Sequence, residues 1–214
     1  LSVTPDEIRG KKLVDIGCGN GVLTSALVDF DLETYGIDVS PSIENAYENN
    51  KNENAQFIQG DLQNPPFQLE TFDIVYSTGV IHHTNNTELS FSCITPLVKP
   101  KGRLYVWLYK PEKDLRHRLI VKVRKVTNKL PIWVQYIFYL VFLVPWGLLK
   151  EALRGKKLTW REQLINYFDV LSPEFRFEHT PEEVKIWYLK RNFSNLNITI
   201  LEYLGFGIYG DKNG

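Results

Sequence analysis

The sequence predicts an α/β fold, a mostly parallel sheet with a helical insertion after its fifth strand. Segments of strand type and helix type alternate over most of the 214 residues, as is typical of crossover units on a parallel sheet. A glycine-rich turn follows the first strand directly. Residues 111–177 interrupt the alternation. We therefore expect a single domain whose core, 1–110 and 178–214, contains a helical lid or insertion over 111–177.

The first strand and the loop after it are the most informative stretch of the chain. Val14 and Ile16 are β-branched and apolar, as a buried parallel strand requires. Glycine occupies every second position of the loop, at Gly17, Gly19 and Gly21. An ordinary strand-to-helix turn is the alternative, but it needs fewer glycines. We expect the loop to present bare backbone, and the helix that follows directs its free backbone N–H groups at the loop. The stretch therefore predicts a nucleotide-type cofactor site.

The other elements follow from their end signals and apolar patterns. Thr4 begins a short first helix, and Ser40 with Pro41 predicts the start of another. Thr180 and the glutamates after it form a capping box. Strands are expected at 13–16, 34–38, 56–59, 72–77 and 103–109, helices at 21–30, 41–50, 87–97, 114–129 and 181–191, and a closing hairpin at 197–203 and 207–211.

Charge is distributed unevenly along a chain whose net charge is zero. From Lys110 to Arg161 there are thirteen Lys or Arg residues and three acidic residues, so this segment carries +10 and the remainder −10. The positive charge of the segment predicts an anionic partner for it, such as nucleic acid or a membrane surface. Because the rest of the chain is negative, the domain as a whole is not expected to be a basic nucleic-acid-binding domain.

The cysteines and the first residues predict a cytoplasmic protein. Cys18 and Cys93 lie in the glycine loop and in a predicted helix, which is no disulfide framework. The chain opens with no signal-peptide pattern. We expect a cytoplasmic location, with membrane association through the basic segment as an open alternative.

Five segments together resemble one family. Asp15 and the G-x-G-x-G loop after it resemble motif I of the class I S-adenosylmethionine-dependent methyltransferases. An acidic residue, Asp38, ends the second strand, and Gly60 begins a Gly-Asp-Leu turn after the third. Residues 72–83 are similar to the fourth-strand motif of the ubiquinone and menaquinone-type, small-molecule branch, and residues 100–102 resemble the turn into the fifth strand. The resemblance implies a Rossmann-like, seven-stranded sheet ordered 3-2-1-4-5-7-6 with an antiparallel terminal strand.

The same resemblance implies the cofactor S-adenosylmethionine, the product S-adenosylhomocysteine, and the residues that hold them. The loop would face the methionine portion of the cofactor, with Asp15 near its amino group, and Asp38 would lie near the ribose, where carboxylates accept hydrogen bonds well. Asp61 with Leu62 would lie near the adenine. The cofactor-binding residues so implied are Asp15, Gly17, Cys18, Gly19, Asn20, Gly21, Asp38, Val39, Gly60, Asp61, Leu62, Ser77, Thr78 and Gly79.

Methyl transfer from a sulfonium needs positioning, and a base only where the acceptor has a proton to lose. His82 and His83 follow the fourth strand and are the candidate base, since histidine titrates near neutrality; a pair that caps a loop is the structural alternative. No Cys or carboxylate cluster accompanies them, so we expect no metal. The candidate acceptor-binding residues are Tyr109, Tyr167, Asp169 and His179. The structural alternative for these residues is packing at the ends of strands and helices.

The stretch Trp133–Leu149 is uncharged and lies between basic segments. It is short for a membrane span. It suits a lid over an apolar acceptor or a helix on an anionic membrane surface. A lid would bury Trp133, Tyr136 and Phe138 against the core.

We therefore predict S-adenosylmethionine-dependent methyl transfer to a small, apolar or lipid-linked acceptor, with no nucleic-acid partner. A nicotinamide-dependent oxidoreductase is one alternative, although its fingerprint has glycine where Val22 stands. A non-catalytic cofactor-binding module that docks to a membrane or a partner through 111–161 is the other.

Overall fold

The computed structural model describes residues 4–50, 54–111, 115–201 and 204–214. The chain divides into two compact units, which we call the core unit, Leu1–Pro111 with Phe177–Gly214, and the helical unit, Glu112–Arg176.

One seven-stranded sheet forms the centre of the core unit. Its order is β3-β2-β1-β4-β5-β7-β6, and β7 runs antiparallel to both of its neighbours while the pairs from β3 to β5 are parallel. This order confirms the fold class expected from the sequence. The strands are β1 (Lys12–Ile16), β2 (Glu33–Asp38), β3 (Ala55–Gln59), β4 (Phe72–Thr78), β5 (Val98–Tyr109), β6 (Phe193–Leu201) and β7 (Gly205–Lys212).

The helices begin close to their predicted starts. Thr180 Oγ1 accepts a hydrogen bond from the Glu183 N–H and caps the last helix. Short 3₁₀ helices extend two of the predicted helices, over Val28–Phe30 and Thr95–Leu97. The α-helices are α1 (Pro5–Ile8), α2 (Val22–Leu27), α3 (Ser42–Asn49), α4 (Thr87–Ile94), α5 (Leu115–Thr127), α6 (Ile132–Phe138), α7 (Val144–Leu153), α8 (Trp160–Leu171) and α9 (Pro181–Lys190).

Two strands begin several residues before their predicted starts. β5 begins at Val98 rather than 103, and its register with β4 shifts between Phe72 and Ile74. β6 begins at Phe193 rather than 197, and its pairing is interrupted after Ser194. Non-glycine residues with positive φ lie at both irregularities, at Lys101 and Asn195. These breaks interrupt the alternating pattern by which strands are recognised.

Helices α4 and α9 cover one face of the sheet. Phe91, Val184 and Trp187 pack there with the apolar residues of β5 and β7. Tyr188 is fully buried, its hydroxyl lies 3.1 Å from Leu104 O and 3.2 Å from Ile208 O, and burial raises its pKa well above the ordinary value. The hydroxyl proton can therefore bridge neighbouring strands β5 and β7 at the centre of the core.

The helical unit is built around a small apolar cluster of its own, which contains Tyr139, Val144, Leu164 and Leu171. Helices α6 and α7 continue through a π-helical segment, Tyr139–Leu143. A Cβ at Gly147 would lie 2.5 Å from the amide nitrogen of Gln163, so glycine permits the close approach of α7 to α8.

Tyr188→Phe should lower the free energy of unfolding by about 1 to 2 kcal/mol, because a buried hydrogen bond is lost and two carbonyls lose a donor. Tyr47→Phe is the matched control, since Tyr47 is 73% exposed, and its effect should stay within about 0.5 kcal/mol. Urea denaturation measures both. Equal stability of the Tyr188 variant and the wild type would contradict the bridging role.

Candidate functional site

The carboxyl ends of β1 and β2 are tied together by backbone hydrogen bonds. Gly17 N–H and Cys18 N–H both donate to Ile37 O, at 2.7 and 3.1 Å, and Gly60 N–H donates to Asp38 O at 3.0 Å. The loops that follow β1, β2 and β3 therefore lie side by side at one edge of the sheet, where open α/β sheets bind ligands.

The three loop glycines have different surroundings, although φ is positive at each. A Cβ at Gly17 would overlap Val80, and a Cβ at Gly21 would overlap Phe57. Only Gly19 has no heavy atom within 4 Å of its Cβ position. Glycine is therefore needed at positions 17 and 21 because other side chains fill the Cβ space there. Contact of all three glycines with a ligand stays a prediction.

Gly79, after β4, resembles Gly19 in these respects. Its φ is +75° and nothing lies within 4 Å of its Cβ position. Because β1 and β4 are adjacent parallel strands, both glycines follow neighbouring strand ends. The backbone at Gly19 and Gly79 thus borders open space where a ligand can make close contact.

Asp38 organises the second strand end. Its Oδ2 accepts a hydrogen bond from Gly19 N–H at 2.8 Å, and its Oδ1 accepts from Ser40 N–H at 2.8 Å and Ser40 Oγ at 2.6 Å. Val39, beside it, is exposed. Carboxylate oxygens accept more than one hydrogen bond each, so Asp38 can still receive hydroxyl donors from a ligand.

Asp15 lies beneath the loop rather than on its open side. It is 4% exposed, and its Oδ2 accepts a hydrogen bond from Thr24 Oγ1 at 2.8 Å. Burial raises the pKa of Asp15 to about 6; the Thr24 hydrogen bond opposes this shift, and the charge of Asp38 adds to it. The side chain holds the loop to α2, and its predicted contact with a ligand amino group stays a prediction.

Cys18 faces inward as well. Its side chain is buried with Ile43 and Ala46, its Sγ would lie 2.7 Å from a Cβ at Gly36, and burial raises its pKa to about 12. Only its backbone can take part in a site on the open side of the loop.

The remaining predicted cofactor residues divide into exposed and structural ones. Asn20, Asp61 and Thr78 are exposed, and Asp61 Oδ1 accepts a hydrogen bond from Gln63 N–H at 2.8 Å. Ser77 is buried, and its hydroxyl donates to Ile16 O at 3.2 Å across β1 and β4. Leu62 is partly buried and packs against the core.

A cluster of aromatic rings lies at the ends of β4 and β5. His82 is fully buried and its ring centroid lies 4.3 Å from His83, 4.5 Å from Tyr109 and 6.0 Å from Trp107. His83 is only partly buried. Of the two histidines, His83 is thus the better placed to meet a second ligand. Sequence reasoning assigned Trp107 to core packing and did not connect it with the histidines.

The chain that returns from the helical unit closes on this cluster. Phe177 N–H donates to His82 O, and His179 N–H donates to Tyr109 O, both at 2.9 Å. His179 Nδ1 lies 3.0 Å from Glu183 Oε1, whereas its Nε2 is buried and has no hydrogen-bond partner within the described residues. The backbone of His179 therefore lies beside the rings of His82, His83 and Tyr109, while its own ring packs against Trp187, 4.8 Å between centroids. Contact of these side chains with an acceptor stays a prediction.

Tyr167 and Asp169, the other two candidates, lie on α8 in the helical unit. Asp169 is exposed, and the hydroxyl of Tyr167 lies near Gly147. Their contact with an acceptor stays a prediction. Trp133, Tyr136 and Phe138 are exposed, and their burial against the core by a lid stays a prediction.

Two supporting residues were missed by sequence reasoning. Thr24, nine residues after Asp15, is its hydrogen-bond partner, and Val80 fills the space above Gly17. Both act through contacts that no local pattern reveals. Across the described ranges, no group of three or more His, Cys, Asp or Glu residues could hold a metal ion.

Comparisons with known proteins show similarity to methyltransferases. Residues 14–106 match the family model for a methyltransferase domain. The sterol 24-C-methyltransferase of Saccharomyces cerevisiae is 24% identical over 95% of this chain and 57% of its own length. The mitochondrial ubiquinone biosynthesis O-methyltransferase of Rattus norvegicus is 30% identical over 46% of this chain. The chain spans 57% and 31% of the length of these two relatives.

A solved structure gives the same fold. The magnesium protoporphyrin IX methyltransferase from Synechocystis, with bound S-adenosylhomocysteine, superposes with a TM-score of 0.58 over 97% of this chain and 77% of its own, at 16% identity. The matched family segment contains the loop after β1, Asp38 and the ends of β2, β3 and β4, and it stops before the end of β5.

The buried carboxyl of Asp15 should make stability depend on pH. Because its pKa in the folded protein, about 6, lies above the value of about 3.9 in an unfolded chain, the folded protein retains a proton that the unfolded chain loses. This contribution to stability is complete below about pH 4 and is lost as pH rises towards 7, by about 2 to 3 kcal/mol.

Asp15→Asn, which is neutral at every pH, should remove that part of the pH dependence. Urea denaturation at pH 4.5 and pH 7 measures it for the variant and the wild type. Asp29→Asn is the control, since Asp29 is exposed in the same region and should leave the pH dependence unchanged. The same pH dependence in wild type and Asp15→Asn would contradict the raised pKa.

Proposed function

The chain carries a methyltransferase domain of the class I, S-adenosylmethionine-dependent family, and on that premise we propose that the protein transfers a methyl group from S-adenosylmethionine to a small, apolar or lipid-linked acceptor. The single observation that carries the proposal is the open backbone at Gly19 beside the carboxylate of Asp38. A nicotinamide enzyme is not favoured by any feature of this site.

The residues at the strand ends fit the cofactor. The space at Gly19 and Gly79 would admit its methionine portion, and the carboxylate of Asp38 would accept hydrogen bonds from ribose hydroxyls. Asp61 and Leu62 would lie by the adenine. When bound, S-adenosylmethionine would supply a methyl group attached to a sulfonium sulfur. The bond between that methyl carbon and the sulfur breaks as the acceptor bonds to the carbon, and the sulfur leaves as an uncharged thioether.

The protein's part in the reaction is then to position the acceptor, exclude water and remove a proton where the acceptor has one. His83 is the candidate base, because it is partly exposed at the end of β4 while His82 is fully buried. The buried Nε2 of His179 lacks a partner within the described chain and is a candidate to hydrogen-bond the acceptor.

Two observations support an apolar acceptor. Trp107 and Tyr109, whose ring centroids lie 5.1 Å apart, give the acceptor side an aromatic wall. Two relatives are named for sterol methylation and ubiquinone biosynthesis, and sterols and ubiquinone are apolar molecules. We further propose a cytoplasmic location, with contact at a membrane surface through residues 111–161.

The activity can be tested without knowing the acceptor. Incubation with methyl-labelled S-adenosylmethionine and a total lipid extract should place label in the organic phase. Calorimetry should show binding of S-adenosylmethionine and S-adenosylhomocysteine and none of NAD. Label found only in protein or RNA, or tight binding of NAD, would contradict the proposal.

Gly19→Ala should weaken S-adenosylmethionine binding by about tenfold or more, because the new methyl group enters the space left for the ligand. Gly10→Ala is the matched control. Both glycines have positive φ and an empty Cβ environment, but Gly10 precedes β1 at its opposite end. Both variants should lose about 1 kcal/mol of stability from backbone strain. Calorimetry compares the affinities of the two variants for S-adenosylmethionine. Equal affinities would show that the loop does not touch the cofactor.

His83→Ala should lower turnover of the labelled product by about 10²-fold if His83 is a general base. Cofactor affinity should barely change, and the rise of rate with pH that a histidine base produces should disappear. His82→Ala should instead lower the melting temperature, because it removes a fully buried ring. Full turnover by the His83 variant would show that the reaction uses another base or none.

A further inference from the structure

The longest apolar helix of the described chain is in the helical unit. Ile132–Leu153 is a continuous helix of 22 residues with a mean hydropathy of 1.8 in its most apolar window, and 22% of that window is buried. By length and composition alone it could cross a membrane. The difference between the two sides of this helix indicates how the helix would be oriented at a membrane.

One side of this helix is packed within the helical unit. Tyr139 and Val144 belong to the unit's apolar cluster, Gln135 is buried and its side-chain amide donates to Leu130 O at 2.7 Å, and Gly147 faces Gln163 on α8. These contacts occupy one side of the helix along most of its length.

The other side is exposed and almost entirely apolar. Trp133 and Trp146 are 67% and 68% exposed. The large apolar residues exposed along the helix are Ile132, Trp133, Tyr136, Ile137, Phe138, Val141, Phe142, Trp146, Leu149 and Leu153. This set is too large and too continuous to be the scattered apolar exposure of an ordinary protein surface.

The π-helical segment Tyr139–Leu143 keeps these two sides in register. A π turn takes up an extra residue. Without that extra residue, Val144 and Gly147 would be rotated by about 100° relative to Gln135 and Tyr139. Because of it, the buried residues of both halves share one side, and Trp146 stays on the same side as Trp133.

Exposed basic residues lie in the segments just before and just after this helix. On α5, Arg118, Lys122 and Lys125 are exposed at spacings of four and three, which places them along one face. Lys129, in the turn after α5, is exposed too. No ion pair within residues 115–176 engages Lys122, Lys125 or Lys129. After the apolar helix, Arg154, Lys156 and Lys157 are exposed, and Glu151 pairs with the first two.

We propose that the helical unit binds the surface of an anionic lipid bilayer, with the helix Ile132–Leu153 lying in the plane of the interface and not spanning it. Tryptophans on the apolar side, with exposed basic groups in the segments that flank the helix, match an acyl boundary covered by anionic headgroups. A spanning orientation would strip α8 from Tyr139, whose ring packs against Tyr167 and Phe168, whereas an in-plane one keeps those contacts. The proposal deepens the membrane contact given above and is independent of methyl transfer.

Vesicle binding of the full chain tests the proposal. The protein should sediment with vesicles of equal phosphatidylglycerol and phosphatidylcholine at 50 mM NaCl, dissociate at 500 mM NaCl, and not bind phosphatidylcholine alone. Tryptophan emission should shift to the blue on binding, and lipids brominated near the headgroup should quench it more than lipids brominated near the bilayer centre.

Two sets of variants separate charge from apolar contact. The triple variant Lys122→Gln, Lys125→Gln, Lys129→Gln should reduce the partition coefficient by about 100-fold. Its control makes the same change in charge on the core unit, with Lys11→Gln, Lys101→Gln, Lys185→Gln, and should bind like the wild type.

Trp133→Ser with Trp146→Ser should abolish stable binding. Its control, Leu69→Ser with Leu201→Ser, alters core-unit residues that are 71% and 67% exposed and should bind normally. Calorimetry with S-adenosylmethionine should give wild-type affinity for every variant, so a failure of vesicle binding is distinguishable from a failure of the proposed function.

Four results would overturn the proposal. The first is no binding to anionic vesicles at low salt, and the second is equal binding to phosphatidylcholine vesicles. The third is quenching that is strongest from the bilayer centre, together with a protein that high salt does not extract. The fourth is a tryptophan variant that converts a dimer to a monomer but binds vesicles as the wild type does. The third would establish a spanning helix and the fourth a contact between two copies of the chain.

Discussion

The close packing beneath the loop after β1 is the constraint on which the site depends. Side chains from two other parts of the core unit, Val80 and Phe57, occupy the space that Cβ atoms at Gly17 and Gly21 would need. The loop is held against the sheet edge by these contacts and by the carboxylate of Asp38. The open position at Gly19 exists only because its neighbours on both sides are anchored.

Much of this arrangement could be predicted from local sequence. Alternating strand and helix signals located the elements, and the strand order followed from the resemblance. What could not be predicted depends on tertiary contacts. The inward orientation of Asp15 requires Thr24 on the next helix, and the early starts of β5 and β6 are concealed by positive φ at Lys101 and Asn195. The two sides of the apolar helix were also hidden, because a π turn breaks the period that sequence reasoning assumes.

The part of the core unit that we propose for the acceptor is built differently from the part that we propose for the cofactor. Backbone and carboxylate groups dominate the ends of β1 and β2, whereas rings dominate the ends of β4 and β5. Gly205 and Gly207 on β7 leave room for this, since a Cβ at either would overlap Trp107 or Tyr105 on β5. The aromatic side chains can therefore lie flat over the neighbouring strand. This arrangement supports the proposed preference for an apolar acceptor.

The unequal surroundings of the loop glycines bear on how natural variants of this chain should be interpreted. A side chain at position 17 or 21 collides with the protein's own interior, so its damage would appear as reduced cellular abundance, through clearance of misfolded chains. A small side chain at position 19 leaves the interior untouched. Its cost in stability is only the strain of a positive φ, about 1 kcal/mol. A survey that scores only protein levels would therefore register such an allele weakly and would miss the loss of ligand binding that we propose for it.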